Sequence, residues 1–242
     1  MTTTGTTNFN LQLTELVEEA FERAGAELRT GYDMRTARRS LNLLTIEWAN
    51  RGINLWTIEQ GQIAMVQGQI TYDLPVDTVD LLDHVIRTQT GIEQTDININ
   101  RISVSTYATI PNKNAQGRPI QVWVNRRSGA EVPDGLLPPG TITVYPQINV
   151  WPAPDQSSFY TFVYWRLKRI QDAGNGTQTE DIPFRLLPCL VAGLAYYIAM
   201  KIPEGLARLD MLKAAYEEQW ALASSEDREK AALRLSPRQY FQ

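Results

Sequence analysis

Apolar residues recur every three or four positions near both ends of the chain and crowd into short β-branched and aromatic runs in its middle. Over residues 8–25, Leu13, Leu16, Val17, Ala20 and Ala24 share one helical face while Glu15, Glu18 and Glu22 share the opposite one. This spacing predicts a surface helix stopped by Gly25. A second helix is expected after Asp33 as its N-cap, with Met34, Ala37, Leu41, Leu44 and Trp48 on the apolar stripe and Gly52 at its end. After Asp181, apolar side chains lie all round the pattern (Leu186, Leu190, Leu194, Ile198), which predicts a helix covered on several sides and stopped by Pro203. Residues 204–233 place Leu206, Leu209, Leu212, Tyr216, Trp220 and Ala223 on the stripe of a fourth helix.

Between the helix pairs the pattern changes. Nine of the thirteen prolines lie between Pro75 and Pro154, where helices cannot propagate. Strands are expected at 55–66, 70–74, 120–125, 141–145 and 158–167, with Gly68 and Gly129 in turns. The order predicts an α+β fold: a discontinuous helical bundle, residues 8–52 plus 181–233, carrying a large inserted β domain at 53–180. Residues 1–7 read as a flexible arm and 234–242 as a C-terminal tail without a core of its own.

Composition narrows the chemistry. With 43% hydrophobic and 21% charged residues the chain is an ordinary globular one. A net charge of −4 and a pI near 5.2 exclude gripping nucleic acid by bulk positive charge. Cys189 is the single cysteine and cannot form an internal disulfide, and His84, the single histidine, leaves few zinc sites. Phosphate-binding glycine loops, GxSxG and CxxC are absent from the sequence, so no catalytic residue, metal or cofactor is expected. The uncharged run at 186–200 spans 15 residues and contains Pro188 and Gly193. A spanning helix needs about 20, so this reads as a buried helix and no membrane is implied.

Three features bear on partners. The aromatics Trp56, Trp123, Trp151, Tyr160, Tyr164 and Trp165 fall in the inserted region and serve either its core or a binding surface. The tail ends in Arg238, Tyr240 and Phe241, a composition suited to anchoring. Arg35 and Arg39 are one turn apart opposite the apolar stripe of the second helix, with Arg38 on its flank. They form either a solvated face or, in an assembly subunit, a surface that meets Glu15, Glu18 and Glu22 of a neighbour. Two other function classes stay open. Asp77, Asp80 and Asp83, beside a turn after Pro75, could supply the paired carboxylates of a carbohydrate-binding or glycoside-cleaving protein. An unrelated soluble binding module would keep the bundle without forming rings.

The stretch Ala37-Arg38-Arg39-Ser40-Leu41-Asn42-Leu43-Leu44 through Trp48, then Arg51-Gly52-Ile53-Asn54-Leu55-Trp56-Thr57-Ile58-Glu59-Gln60-Gly61, resembles the head-to-tail adaptors of short-tailed phages, the tail tubular protein A or packaged-DNA stabilization family. Gly68-Gln69-Ile70-Thr71-Tyr72-Asp73-Leu74-Pro75, with Asp77 and Asp80 after it, and the order helix, helix, β insertion, helix, helix extend the likeness over most of the chain. The Pro-rich segment 131–154 departs from the compact members of that family. The resemblance implies a non-enzymatic ring of twelve copies at the virion's head–tail junction, assembled in the host cytoplasm, with the portal protein above and the tail nozzle protein below. DNA would pass through its channel without sequence-specific binding. It further implies that Arg238, Tyr240 and Phe241 dock on the portal, and that the 53–180 region, with Trp123 and Trp151, faces the nozzle.

Overall fold

Side-chain capping starts the first two helices. The computed structural model describes residues 5, 9, 11–53, 55–89, 91–127, 144–174 and 178–228. Helix α1 (Leu13–Ala24) begins with a capping box in which the Gln12 N–H donates to Glu15 Oε2 at 3.0 Å. It ends at Gly25, whose φ of 86° is the left-handed conformation glycine adopts without strain. Helix α2 (Gly31–Arg51) starts earlier than the sequence pattern suggests. Its N-cap is Thr30, and Asp33 is the third residue of the helix: Asp33 N–H donates to Thr30 Oγ1 at 3.2 Å and Thr30 N–H donates to Asp33 Oδ2 at 3.0 Å. A reciprocal box satisfies two free N–H groups where an isolated Asp cap would satisfy one.

The chain divides into two compact units, one made of residues Met1–Trp56 and Ile170–Gln242, the other of Thr57–Arg169. The second unit is narrower than the span 53–180 because Ile53, Trp56 and Ala173 pack on the helical core.

Among the described residues the β unit contains eight strands: β1 (Ile58–Ala64), β2 (Thr71–Asp73), β3 (Thr78–Thr88), β4 (Thr95–Asn98), β5 (Asn100–Arg101), β6 (Gln121–Asn125), β7 (Gln147–Trp151) and β8 (Tyr160–Lys168). One sheet runs β1-β8-β3-β4, all antiparallel, and the other β2-β7-β6-β5, with only β5 and β6 parallel. A short helix, α3 (Val104–Ala108), follows β5. The inner faces meet in one core containing Tyr72, Leu81, Ile86, Val122, Ile148, Val150 and Phe162. The first and last strands of the unit are partners, Ile58 opposite Leu167, so the chain enters and leaves side by side.

The strands depart from the sequence expectation at several points: β3, β4 and β5 are not among those expected, and two others are shifted. β3 replaces the anticipated acidic turn, and its register shifts between Thr78 and Asp80 and again between Leu81 and Asp83. The shifts break the two-residue alternation by which a strand is recognised, leaving Val79 and Leu82 exposed while Leu81, His84 and Ile86 face inward. The strand expected at 141–145 is displaced. Residues 141–143 lie outside the described residues, Val144 and Tyr145 are not in a strand, and β7 starts after Pro146. The strand expected from Leu55 begins only at Ile58, after a 3-10 turn over Leu55–Thr57.

In the helical unit, α4 (Leu187–Ala199) is the hub, packed by α1, α2 and α5 (Leu209–Glu226). Ten of its thirteen residues are buried, which accounts for its lack of a polar face. The stretch 203–208 is a 3-10 turn, so the fourth helix is shorter than the sequence stripe. A polar and aromatic cluster fastens α2, α4 and α5. Trp48 Nε1 donates to Tyr216 Oη at 3.1 Å, the Tyr197 hydroxyl donates to Glu47 Oε2 at 2.5 Å, and Arg51 lies over the Trp220 ring at 4.6 Å while pairing with Glu47 and Glu217.

Gly193 is a point of close approach in this packing. A Cβ there would stand 2.9 Å from both Leu44 Cδ2 and Tyr216 Cε2. Gly193→Val is expected to lower stability by about 2–3 kcal/mol through overpacking, read as a lower denaturant midpoint with the slope unchanged.

Candidate functional site

The residues expected to meet partners fall into three places. On α2, Tyr32, Arg35, Arg39, Leu43 and Ile46 are exposed at three- and four-residue spacing. Arg39 donates to Thr36 Oγ1 at 3.3 Å, and neither it nor Arg35 forms an ion pair among the described residues. Arg38 differs. It is half-buried, and its Nη2 donates to the Ala173 carbonyl at 3.1 Å, beside the Ala173 N–H that donates to Asn42 Oδ1 at 2.8 Å. Arg38 thus pins the chain returning from the β unit, a role hidden in the sequence because its partner lies 135 residues on.

The acidic face of α1 is equally mixed. Glu15 spends an oxygen on the helix cap and Glu19 pairs with Arg23 at 2.7 Å. Glu18 and Glu22 are exposed, one turn apart, and form no ion pair among the described residues. With Glu15 they rim a groove of about 570 Å³ whose apolar lining includes Phe184, Leu187 and Val191. Phe184 is 69% exposed.

In the β unit, Trp123 and Trp151 stand on the outer face of the second sheet: Trp123 opposes Asn149 and Trp151 opposes Gln121, while Val122 and Val150 face the core. Both indoles are half-buried. Tyr107 of α3 stacks on Trp123 with ring centroids 5.3 Å apart, Trp151 Nε1 donates to the Asn112 carbonyl at 2.9 Å, and Lys113 Nζ sits 5.6 Å from the Tyr107 ring. The two rings therefore hold the segment around α3 on the sheet and leave only their remaining surface for a partner. Tyr160 and Tyr164 belong to the core, and Trp56 Nε1 donates to the Asp181 carbonyl at 3.0 Å in the helical unit.

The acidic cluster is tied up in cross-links. Asp77 and Glu59 flank the buried Arg166 guanidinium at 2.5 and 2.6 Å, and Thr78 Oγ1 accepts from it at 3.0 Å. Burial opposes the charge of Arg166, and the hydrogen bonds it donates to Asp77 and Glu59, with their negative charge, more than offset it, holding its pKa above the usual arginine value. Asp80 joins the two sheets, pairing with Arg101 at 2.7 Å and Arg126 at 3.3 Å. Asp83 Oδ1 accepts from the His84 N–H at 2.8 Å. The carboxylates weighed for glycoside cleavage thus hold arginines and backbone.

Three further titratable groups are buried. His84 stacks on Phe162, neither ring nitrogen finds a hydrogen-bond partner among the described residues, and burial lowers its pKa below 6.5. Burial pushes the Cys189 thiol up to about 12, which makes it a packing residue at ordinary pH. Glu180 is raised to about 7, chiefly by burial, with Arg38 pulling it down and Asp181 pushing it up. Among the described residues no cluster of His, Cys, Asp and Glu could hold a metal ion, and no helix is long and apolar enough to cross a membrane. The arm at 1–7, apart from Gly5, and the tail with Arg238, Tyr240 and Phe241 lie outside the described residues.

A helical bundle assembled from both chain ends, an inserted two-sheet unit and surfaces suited to contact describe an assembly subunit. The chain belongs to the SU10 adaptor protein family, whose model matches residues 11–238 and so runs through both units. This membership agrees with a phage head-to-tail adaptor. No curated protein matches the chain.

The two buried acids and bases give opposite pH responses in separate units. His84 has a folded pKa below its unfolded 6.5, so the β unit loses stability as pH falls below about 6.5. Glu180 has a folded pKa near 7 against 4.5, so its contribution is fully present below pH 4.5 and declines as pH rises to about 7. Hydrogen exchange followed separately in each unit is expected to show these slopes, with Glu180→Gln removing the decline in the helical unit between pH 4.5 and about 7.

Proposed function

We propose that this chain is a structural head-to-tail adaptor of a phage virion, a homo-oligomeric ring of twelve copies between the portal protein and the tail nozzle protein. It extends the channel through which DNA passes and helps retain the packaged genome. The observation that carries this reading is the single family match spanning residues 11–238, which takes the helical unit, the inserted β unit and most of the C-terminal segment as one adaptor. The chemistry of the chain supports it. A net charge of −4 suits a channel wall that must not hold phosphates, since like charge keeps DNA sliding where a basic wall would bind it. Exposed, unpaired charges of opposite sign on α1 and α2 suit a subunit that meets copies of itself. The role is non-enzymatic, and the glycoside-cleaving alternative loses its support because Asp77 and Asp80 are committed to Arg166, Arg101 and Arg126.

In this reading Arg238, Tyr240 and Phe241 anchor the tail on the portal, an aromatic pair with one cation being a composition typical of small, high-affinity anchors. The nozzle meets the β unit on the sheet face that carries Trp123 and Trp151. Assembly takes place in the host cytoplasm. Deleting residues 235–242 is expected to leave circular dichroism and thermal midpoint unchanged while binding to the purified portal protein is lost. Unchanged binding would overturn the anchor role.

A further inference from the structure

Two surfaces of the helical unit are incomplete as they stand. On α1, Glu18 and Glu22 are like charges one turn apart, a repulsive arrangement, and neither forms an ion pair among the described residues, the neighbouring Arg23 being paired with Glu19. They border a groove floored by Leu187 and Val191 and flanked by the exposed Phe184 ring. On α2, Arg35 and Arg39 repeat the same one-turn spacing with the opposite sign, followed by the exposed Leu43 (55%) and Ile46 (57%). An exposed branched aliphatic pair continuous with unpaired charge is the composition of an interface core with its rim. The spacing of both charge pairs is about 6 Å along a helix axis, so the two can be laid in register.

α1 and α2 each pack on α4 and keep their charge pairs exposed, so a chain offers both surfaces at once. We infer that the α2 stripe of one copy docks into the α1–α4 groove of a second copy, Arg35 and Arg39 against Glu18 and Glu22, and Leu43 and Ile46 against Phe184, Leu187 and Val191. The contact is heterologous: each copy gives one surface and receives with another. Repetition generates a ring where the rotation closes. The inference rests on the adaptor reading for its biological setting and names the partner surface within it. Arg38, held on Ala173, takes no part, and Glu15, engaged in the helix cap, contributes only to the rim.

The test is sedimentation equilibrium of the full-length protein up to about 1 mM at low and high salt. The wild type self-associates, and salt weakens it because the matched charges are exposed. Arg35→Glu with Arg39→Glu weakens association at least about tenfold, and so does Glu18→Arg with Glu22→Arg. Combining all four substitutions in one chain restores it, as does mixing the two double variants. Since all four positions are exposed, circular dichroism checks that each variant is folded. A wild type that stays monomeric throughout, or either double variant alone associating as tightly as the wild type, overturns the inference, and so does a fourfold-substituted chain that fails to recover association. A protein that associates through this face yet is missing from the junction of the assembled particle would remove the adaptor reading and leave the interface standing.

Discussion

Covering α4 is the requirement on which the helical unit depends. A helix with ten of thirteen residues buried needs cover on most of its surface, and the sequence before it contributes α1 and α2 while the sequence after it contributes α5. The unit therefore cannot be completed from either end alone. Between the two ends lies the whole β unit, yet the cost of joining them is modest, because closure entropy grows only with the logarithm of loop length, about 0.6 kcal/mol per doubling. The Trp48, Glu47, Arg51, Tyr197 and Tyr216 cluster then orients α2 and α5 about the hub through directed bonds, which apolar contact alone would leave free to slide.

The β unit satisfies its own constraint with charge placed unusually deep. Arg166 stands on the central strand β8 with almost no exposure, and its two carboxylate partners sit on the loop before β3 and on β1, so three consecutive pieces of the sheet are cross-linked at one guanidinium. Asp77 and Glu59 remain about half exposed, so water shares their charge while Arg166 has only them. Such a site is sensitive to losing an acid more than to losing the base. Asp80 works across the sheets in the same way through Arg101 and Arg126.

What was legible in the sequence follows from the range of the interactions involved. α1 and α2 are visible because their stripes and terminal glycines are local, and α4 because apolar residues on every side have one reading. Thr30 was missed as a cap because Asp33 is also a good cap residue, and only the reciprocal bonds decide between them. β3 was hidden by two register shifts, and by aspartates that resemble turn residues until their arginines, 21 and 89 positions away, are seen. Arg35, Arg39, Glu18 and Glu22 lie on exposed faces as their helical phase requires, whereas Arg38, Trp123 and Trp151 are largely engaged within their own unit. Helical phase tells which way a side chain leaves the axis; it carries no record of a carbonyl arriving from a distant loop.

The pairing of Ile58 with Leu167 has a mechanical consequence. Because the inserted unit is rooted through two neighbouring strands running in opposite directions, a pull on that unit loads both roots from the same end. Opposed tension would have to slide the strands past each other and break many ladder bonds together; tension from one end parts the first pair before the next. The root is thus a zipper whose outermost teeth carry the strain. The Trp56 bond to the Asp181 carbonyl on one side and the Arg38 bond to the Ala173 carbonyl on the other lie upstream of those teeth, where they take up load before the sheet does.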